Sequence, residues 1–264
     1  MTQVWNTVAQ WMERRHALTG RSIGFVPTMG ALHRGHASLI KRCREENEIV
    51  VVSIFVNPSQ FDDPADLERY PRALQDDLLL LKDLGADEVV APNASELYPH
   101  GYLLRLETNS VNHVMEGAYR PGFLQGVMTV VLKLLNIVRP DRAYFGEKDY
   151  QQLKVIEDMV QEFFIPTKIV PCPTVREESG LAASSRNELL SAAAREKAAG
   201  LLRALSTAIN LTEARAILER EGFLVQYIEE HWGRRFVAAF LDGVRLIDNA
   251  PILEVERSSL SERH

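Results

Sequence analysis

Cysteine is scarce in this chain: Cys43 and Cys172 are the only two in 264 residues, and they stand far apart. Two isolated thiols build neither a disulfide framework nor a metal cage, and they fit a reducing, cytoplasmic compartment. Long apolar runs are missing too. The most apolar segment, VMTVVLKLLNIV from Val127 to Val138, is interrupted by Lys133 and Asn136 and is too short to span a bilayer. The N-terminal MTQVWNTVAQWMERRHALTG has no basic stretch followed by an apolar one, so it does not read as a secretory signal. No basic tract appears, and the formal charge is −6, which argues against a nucleic-acid partner. An acidic chain binds an anion only through local cations and backbone N–H groups.

What is present is an alternation of helical and strand patterns. The length suits one α/β domain with a smaller companion. The first segment reads as a helix, with Val4, Val8, Trp11 and Met12 on one stripe. SIGFVPT follows as a short buried strand that Pro27 should end. A helix is expected from about Arg34. EIVVVSIFVN, Glu48 to Asn57, is a continuous Val/Ile run of the kind buried on both faces of a parallel sheet. A helix stopping near Gly85, the strand DEVVAP, the apolar helix Val127 to Val138, a strand and turn at RAYFGEKDY with its helix, and the strand IPTKIVPCP complete the series. This order predicts an α/β fold with a doubly wound parallel sheet over residues 1–173. Residues 174–264 change character, with Ala/Leu/Glu-rich helices and a hairpin signal at Asp242-Gly243. A smaller α+β C-terminal domain is expected there.

The stretch FVPTMGALHRGHASLI, Phe25 to Ile40, carries the first chemistry. It sets His33 and His36 three apart where a strand gives way to a helix. Helix-start N–H groups and the dipole favour a phosphate at such a place, and Gly35 would let a nucleotide approach the backbone. A zinc pair is the weaker reading, because no further His/Cys partner set appears. Taken alone, GEKDY would be a solvated helix start, and AASSRN, Ala182 to Asn187, an ordinary turn.

The His-x-Gly-His pattern resembles that of the nucleotidyltransferase superfamily. PTMGALHRGH, FVNPSQF, RYPR, EGAYRPG, FGEKDYQQL, GLAASSRN and RLIDN occur in order between about residues 23 and 249. This set resembles the pantothenate synthetase (pantoate–β-alanine ligase) family. The resemblance implies a Rossmann-like nucleotidyltransferase fold with the C-terminal domain as a lid. It implies ATP-dependent condensation of pantoate with β-alanine through pantoyl adenylate, Mg2+, a cytoplasmic homodimer, and no nucleic-acid or membrane partner.

Roles follow by motif. Met29, Gly30, Ala31, Leu32, His33, Arg34, Gly35 and His36 match the ATP-binding turn. His36 matches the family's proton donor, although departing pyrophosphate needs charge neutralised more than it needs a proton. Gly146, Glu147, Lys148 and Asp149 match a nucleotide-binding turn, with Lys148 on phosphate and Asp149 on ribose. Val175, Ala183, Ser184, Ser185 and Arg186 match nucleotide and phosphate contacts, and Lys148 and Arg186 join the two histidines as catalytic groups. Gln60 and Gln152, helped by Asn57, match the pantoate and β-alanine contacts. Asp76 and Asp77 resemble acidic residues near magnesium.

The chain departs from the family pattern at several positions. Phe123 and Leu124 stand where His-Phe is common, Ala183 where Met or Leu precedes Ser-Ser-Arg, and Ser59 where Met or Thr is frequent. IEEHWGRR replaces a more typical strand-loop. Two other readings fit parts of this set. One is an adenylyltransferase acting on a phosphate ester, against which the glutamine pair speaks, since a phosphate acceptor calls for cations. The other is a non-catalytic nucleotide-binding protein, against which both histidines, Lys148 and Arg186 speak.

Overall fold

The structure is a computed structural model that describes residues 2–62, 64–109 and 111–252. The first part of the chain runs β1 (Gln3–Trp5), α1 (Val8–Ala17), β2 (Ile23–Thr28), α2 (Arg34–Glu46), β3 (Ile49–Ile54), α3 (Pro64–Arg69), α4 (Leu74–Asp83), β4 (Glu88–Val90), α5 (Ala94–Leu97), α6 (Met115–Tyr119), α7 (Phe123–Val138), β5 (Arg142–Gly146), α8 (Tyr150–Glu162) and β6 (Lys168–Cys172). These strands form one six-stranded parallel sheet in the order β1-β4-β3-β2-β5-β6. From β2 the order runs one way through β3 and β4 and the other way through β5. The switch point therefore lies between β2 and β5, where open α/β sheets place their ligands beyond the strand C-termini.

Helices cover both faces. On one side Trp11, Val127, Val131 and Leu135 pack with Phe25 and Val51. On the other, Leu39, Ile40 and Cys43 of α2 and Leu81 of α4 pack with Val50, Val52 and Tyr144. The apolar run expected from Val127 begins one turn earlier, and α7 buries most of its length in the first of these cores. Lys133 Nζ, the charge inside that run, donates to the Leu97 carbonyl at 2.8 Å. No helix among the described residues is long and apolar enough to cross a membrane.

Two local expectations need correction. The N-terminal segment begins as a strand: Gln3, Val4 and Trp5 pair with Glu88, Val89 and Val90. Buried Glu88 reinforces that edge, accepting from Trp5 Nε1 at 2.7 Å and pairing with Arg14 at 2.6 Å. Only then does Thr7 cap α1, accepting from Gln10 N at 3.2 Å. Thr7→Ala should cost about 1 kcal/mol, the usual value of an N-cap; urea unfolding checks it. The second correction is that Pro27 does not end β2, which continues to Thr28 against Ser53 and Ile54. Thr28 O accepts from Phe55 N on the β3 side, so Pro27, one residue back, faces β5. Pairing with β5 stops at Phe25, and no ladder bond is lost there.

The chain divides into two compact units, residues 1–177 with 182–185, and residues 178–181 with 186–264. The second unit holds α9 (Ala192–Ala198), α10 (Gly200–Thr207), α11 (Leu211–Arg220) and β7 (Leu224–His231), β8 (Arg234–Leu241) and β9 (Val244–Pro251) in one antiparallel sheet. The hairpin at Asp242-Gly243 forms, with φ of 49° and 78° as a type I′ turn requires. A second hairpin joins β7 to β8 through Trp232-Gly233, with φ of 48° and 67°. Buried Arg235 ties this sheet to its helices, pairing with Glu230 at 2.8 Å and donating to the carbonyls of Leu205 and Ala208.

Candidate active site

The turn after β2 is held from several sides. Thr28 Oγ1 donates to the Ser53 carbonyl at 2.6 Å and accepts from Gly30 N at 3.2 Å. Asp77 of α4 accepts from Ala31 N at 3.0 Å and Leu32 N at 2.8 Å. His33 then caps α2, its Nδ1 accepting from Gly35 N at 3.1 Å. His36 Nδ1 accepts from His33 N at 3.3 Å. The exchange is a capping box made of imidazoles. Because each Nδ1 is an acceptor, each ring carries its proton on Nε2. The rings lie 4.1 Å apart, tilted by 42°.

The N–H groups of Gly30, Ala31, Leu32, His33 and Gly35 are all engaged within the protein. Each ring keeps its Nε2–H outside these bonds. Gly35 also has a local reason to be glycine. A Cβ there would stand 2.8 Å from Cε1 and 2.9 Å from Nδ1 of the His33 ring.

Burial and the Lys148 ammonium push His33 down to about 4, with Asp149 opposing. Burial, then His33 and Lys148, pushes His36 down to about 3. Both rings are neutral donors near pH 7. Lys148 and Asp149 lie in a 3-10 turn directly after β5, 3.6 Å apart as an ion pair. The switch point of the sheet is what brings this turn to the histidines.

The turn after β3 supplies a second polar group. Pro58–Gln60 form a 3-10 turn. Buried Asn57 donates from Nδ2 to Gln60 Oε1 at 3.1 Å and to the Gly126 carbonyl at 3.1 Å. Gln60 Nε2 reaches Met29 Sδ at 2.9 Å, so Asn57 and Gln60 join the histidine turn. Ser59 Oγ donates to Asn57 Oδ1 at 3.0 Å. Tyr98 and Arg120 complete the scaffold. Tyr98 OH donates to Asn57 Oδ1 at 3.1 Å, and Arg120 pairs with Asp62 at 3.0 Å and Glu116 at 3.5 Å. The unusual Phe123 lies 4.0 Å beneath the Arg120 guanidinium, while Leu124 is fully buried. An apolar ring at 123 thus stacks on a cation. The signal for Arg120 was in EGAYRPG; a buried tyrosine in LYPHG has no local pattern that marks it as polar scaffold.

The remaining candidates are placed as follows. Gln152 is half-buried in the first turn of α8, whereas neighbouring Gln151 is buried and fixes the loop before α6 through Glu116 N, Val111 O and Val114 O. Val175 O accepts from Ala183 N at 2.9 Å. The methyl that Gly35 lacks would sit 3.9 Å from the Ala183 Cβ, which places Ala183 beside the start of α2. Ser184 and Ser185 are half-buried in the same unit, and Arg186 belongs to the second unit. Arg34 is exposed. Asp76 is exposed, and buried Asp77 is turned to the backbone of the histidine turn with both oxygens. Among the described residues no three His, Cys, Asp or Glu side chains gather as a metal cage.

Comparison with known proteins converges on one family. The family described as pantoate-beta-alanine ligase matches residues 1–251. Pantothenate synthetase from Bdellovibrio bacteriovorus is 48% identical over 252 residues, spanning 96% of this chain and 100% of the relative. The Legionella pneumophila protein of the same name is 46% identical, spanning 94% of this chain and 98% of its own. The crystal structure of pantoate-beta-alanine ligase from Francisella tularensis, complexed with beta-gamma ATP and beta-alanine, superposes with a TM-score of 0.90. It is 44% identical and covers 95% of this chain and 98% of its own. The Thermus thermophilus structure gives a TM-score of 0.87 at 44% identity, covering 94% and 99%.

Proposed function

The chain belongs to the pantoate–β-alanine ligase family, and from that premise we propose that the turns after β2 and β5 hold the triphosphate of ATP while a pantoate carboxylate attacks its α-phosphorus. The enzyme joins pantoate to β-alanine. A carboxylate is a poor acylating agent because oxide leaves badly. Transfer of AMP to the carboxylate expels pyrophosphate and creates a mixed anhydride. The β-alanine amine then attacks the acyl carbon, AMP leaves, and pantothenate forms.

The observation that carries this reading is the pair of neutral imidazoles whose Nδ1 atoms accept from the backbone, which leaves Nε2–H as the donor of each ring, with the Lys148 ammonium acting on both. Fixed donors of this kind stabilise charge on departing pyrophosphate without reorganising. Both rings act as hydrogen-bond donors, and neither needs to give up its proton. Lys148 adds a point charge. Gln60, oriented by Asn57, and Gln152 offer amides to the hydroxyl and carboxylate groups of pantoate. Asp149 receives the ribose. Gly146, Glu147, Val175, Ala183, Ser184 and Ser185 line the nucleotide side. For Arg186 the phosphate role rests on its motif. Magnesium arrives with the substrate, as MgATP, because the phosphates themselves are its natural ligands. The two buried, unpaired cysteines suit a cytoplasmic enzyme, and the working form is a homodimer.

The test is pantoate-dependent exchange of pyrophosphate into ATP, followed by AMP release on adding β-alanine. Exchange without pantoate, or none with it, removes this reading. The depressed histidines also predict a pH profile. The exchange rate should show no limb attributable to these rings between pH 5.5 and 8, since protonation waits until about 4 for His33 and about 3 for His36. An activity loss near pH 6.5 that disappears in His33→Gln would contradict it. Linkage has the matching sign: the stability these neutral rings contribute is full above 6.5 and is lost as the pH falls through the folded values.

A further inference from the structure

We propose that Asp77 is a positioning residue for the two histidines, acting through the backbone of the turn that carries them; this rests on the phosphate role of the rings given above. Asp77 lies in the first turn of α4, where a carboxylate ordinarily caps its own helix. Instead its two oxygens accept from Ala31 N and Leu32 N, more than forty residues back, at 3.0 and 2.8 Å. Asp77 is 4% exposed, so these charge-assisted bonds are shielded from water.

The backbone explains why an anion is needed there. Gly30 and Ala31 both have positive φ, 79° and 50°. Ala31 in this region is strained, by roughly 1–2 kcal/mol. Such a turn aims successive N–H groups at one point and makes a concave anion site. Here the anion is built in. The Asp77 Oδ2 stands 2.8 Å from where a Gly30 Cβ would be, with Ile54 Cγ2 at 3.2 Å on another side. The turn is therefore clamped between α4 and β3, one residue before His33.

Two consequences follow for the reaction. The clamp fixes the backbone from which His33 N–H reaches His36 Nδ1, and so fixes the tautomer and direction of the second ring. It also occupies the amides that would otherwise compete for phosphate, which directs the triphosphate to the ring Nε2–H donors. Asp77 touches no reacting atom in this account.

Asp77→Asn in the full-length enzyme tests the idea. The amide keeps one acceptor and sets an NH2 against the other N–H, so the turn shifts. Exchange of pyrophosphate into ATP should fall roughly 10- to 30-fold, the scale of a small misplacement at the reacting centre. The KM for pantoate, and the rate of β-alanine attack on supplied pantoyl adenylate, should stay within about twofold, because no pyrophosphate leaves in that half-reaction. In a His36→Ala background the same change should add less than about threefold. Amide hydrogen exchange at Ala31 and Leu32 should speed up. If Asp77→Asn does not fold, Asp77→Ser, which keeps a short acceptor, serves in the same assays. Equal losses in both half-reactions, a full additional loss in the His36→Ala background, or recovery at raised Mg2+ would overturn the proposal. Absence of pantoate-dependent exchange in the unmodified enzyme would instead remove the reading on which it rests.

Discussion

His36→Ala should leave the protein folded and lower pantoate-dependent pyrophosphate exchange roughly 10²–10³-fold, the range for loss of one fixed transition-state donor. The ring is half-buried at the third position of α2, and alanine is the best helix former. Folding therefore survives while the Nε2–H donor disappears. Removing His36 also frees His33 N–H from its Nδ1 acceptor, at 3.3 Å in the intact turn. The two histidines act as one unit, so the double variant should lose much less than the product of the single losses. Steady-state exchange together with a thermal melt checks both halves of the expectation. A near-normal rate with an unchanged melt would remove the ring from the chemistry.

Gly35→Ala should separate stability from activity. The position lies in the first turn of α2, where alanine is intrinsically favoured over glycine by about 1 kcal/mol. The added methyl, however, would meet the His33 ring at 2.8 Å. The ring is the part that can move, and moving it breaks the Nδ1 contact to Gly35 N that fixes its tautomer. A melt at or above that of the parent, with exchange lowered roughly 10²-fold, is expected from a misdirected donor. Full activity would mean that the His33 orientation does not matter.

Much of the fold was legible because its signals are local. The Val/Ile run became β3, the apolar run from Val127 became most of α7, and Asp242-Gly243 became a type I′ hairpin. The errors have nonlocal causes. Val4 belongs to a three-residue strand that exists only because β4 lies beside it. Pro27 stays inside β2 because its neighbour β5 has already stopped pairing. Trp232-Gly233 makes a hairpin with a bulky residue at positive φ, which no turn preference announces.

The site divides in the same way. Both histidines, Lys148, Asn57 and Gln60 stand at the strand ends where the motifs place them. What the sequence could not convey is direction. The helix start marks the place, but that five of the N–H groups at this turn bond internally, with each ring bonded through Nδ1, depends on tertiary contacts and on the capping geometry. Resemblance associated Asp77 with magnesium, and only the tertiary contact between α4 and the turn reveals its two amide partners. Tyr98 and Gln151 were missed because a buried side chain that orients a backbone or an amide leaves no periodic trace.

The decisive measurement is a crystal of this enzyme grown with pantoate and a non-hydrolysable ATP analogue. Phosphate oxygens should lie within hydrogen-bonding distance of Nε2 of both His33 and His36, with each Nδ1 still accepting from the backbone. A triphosphate bound elsewhere, with neither ring touching it, would contradict the account.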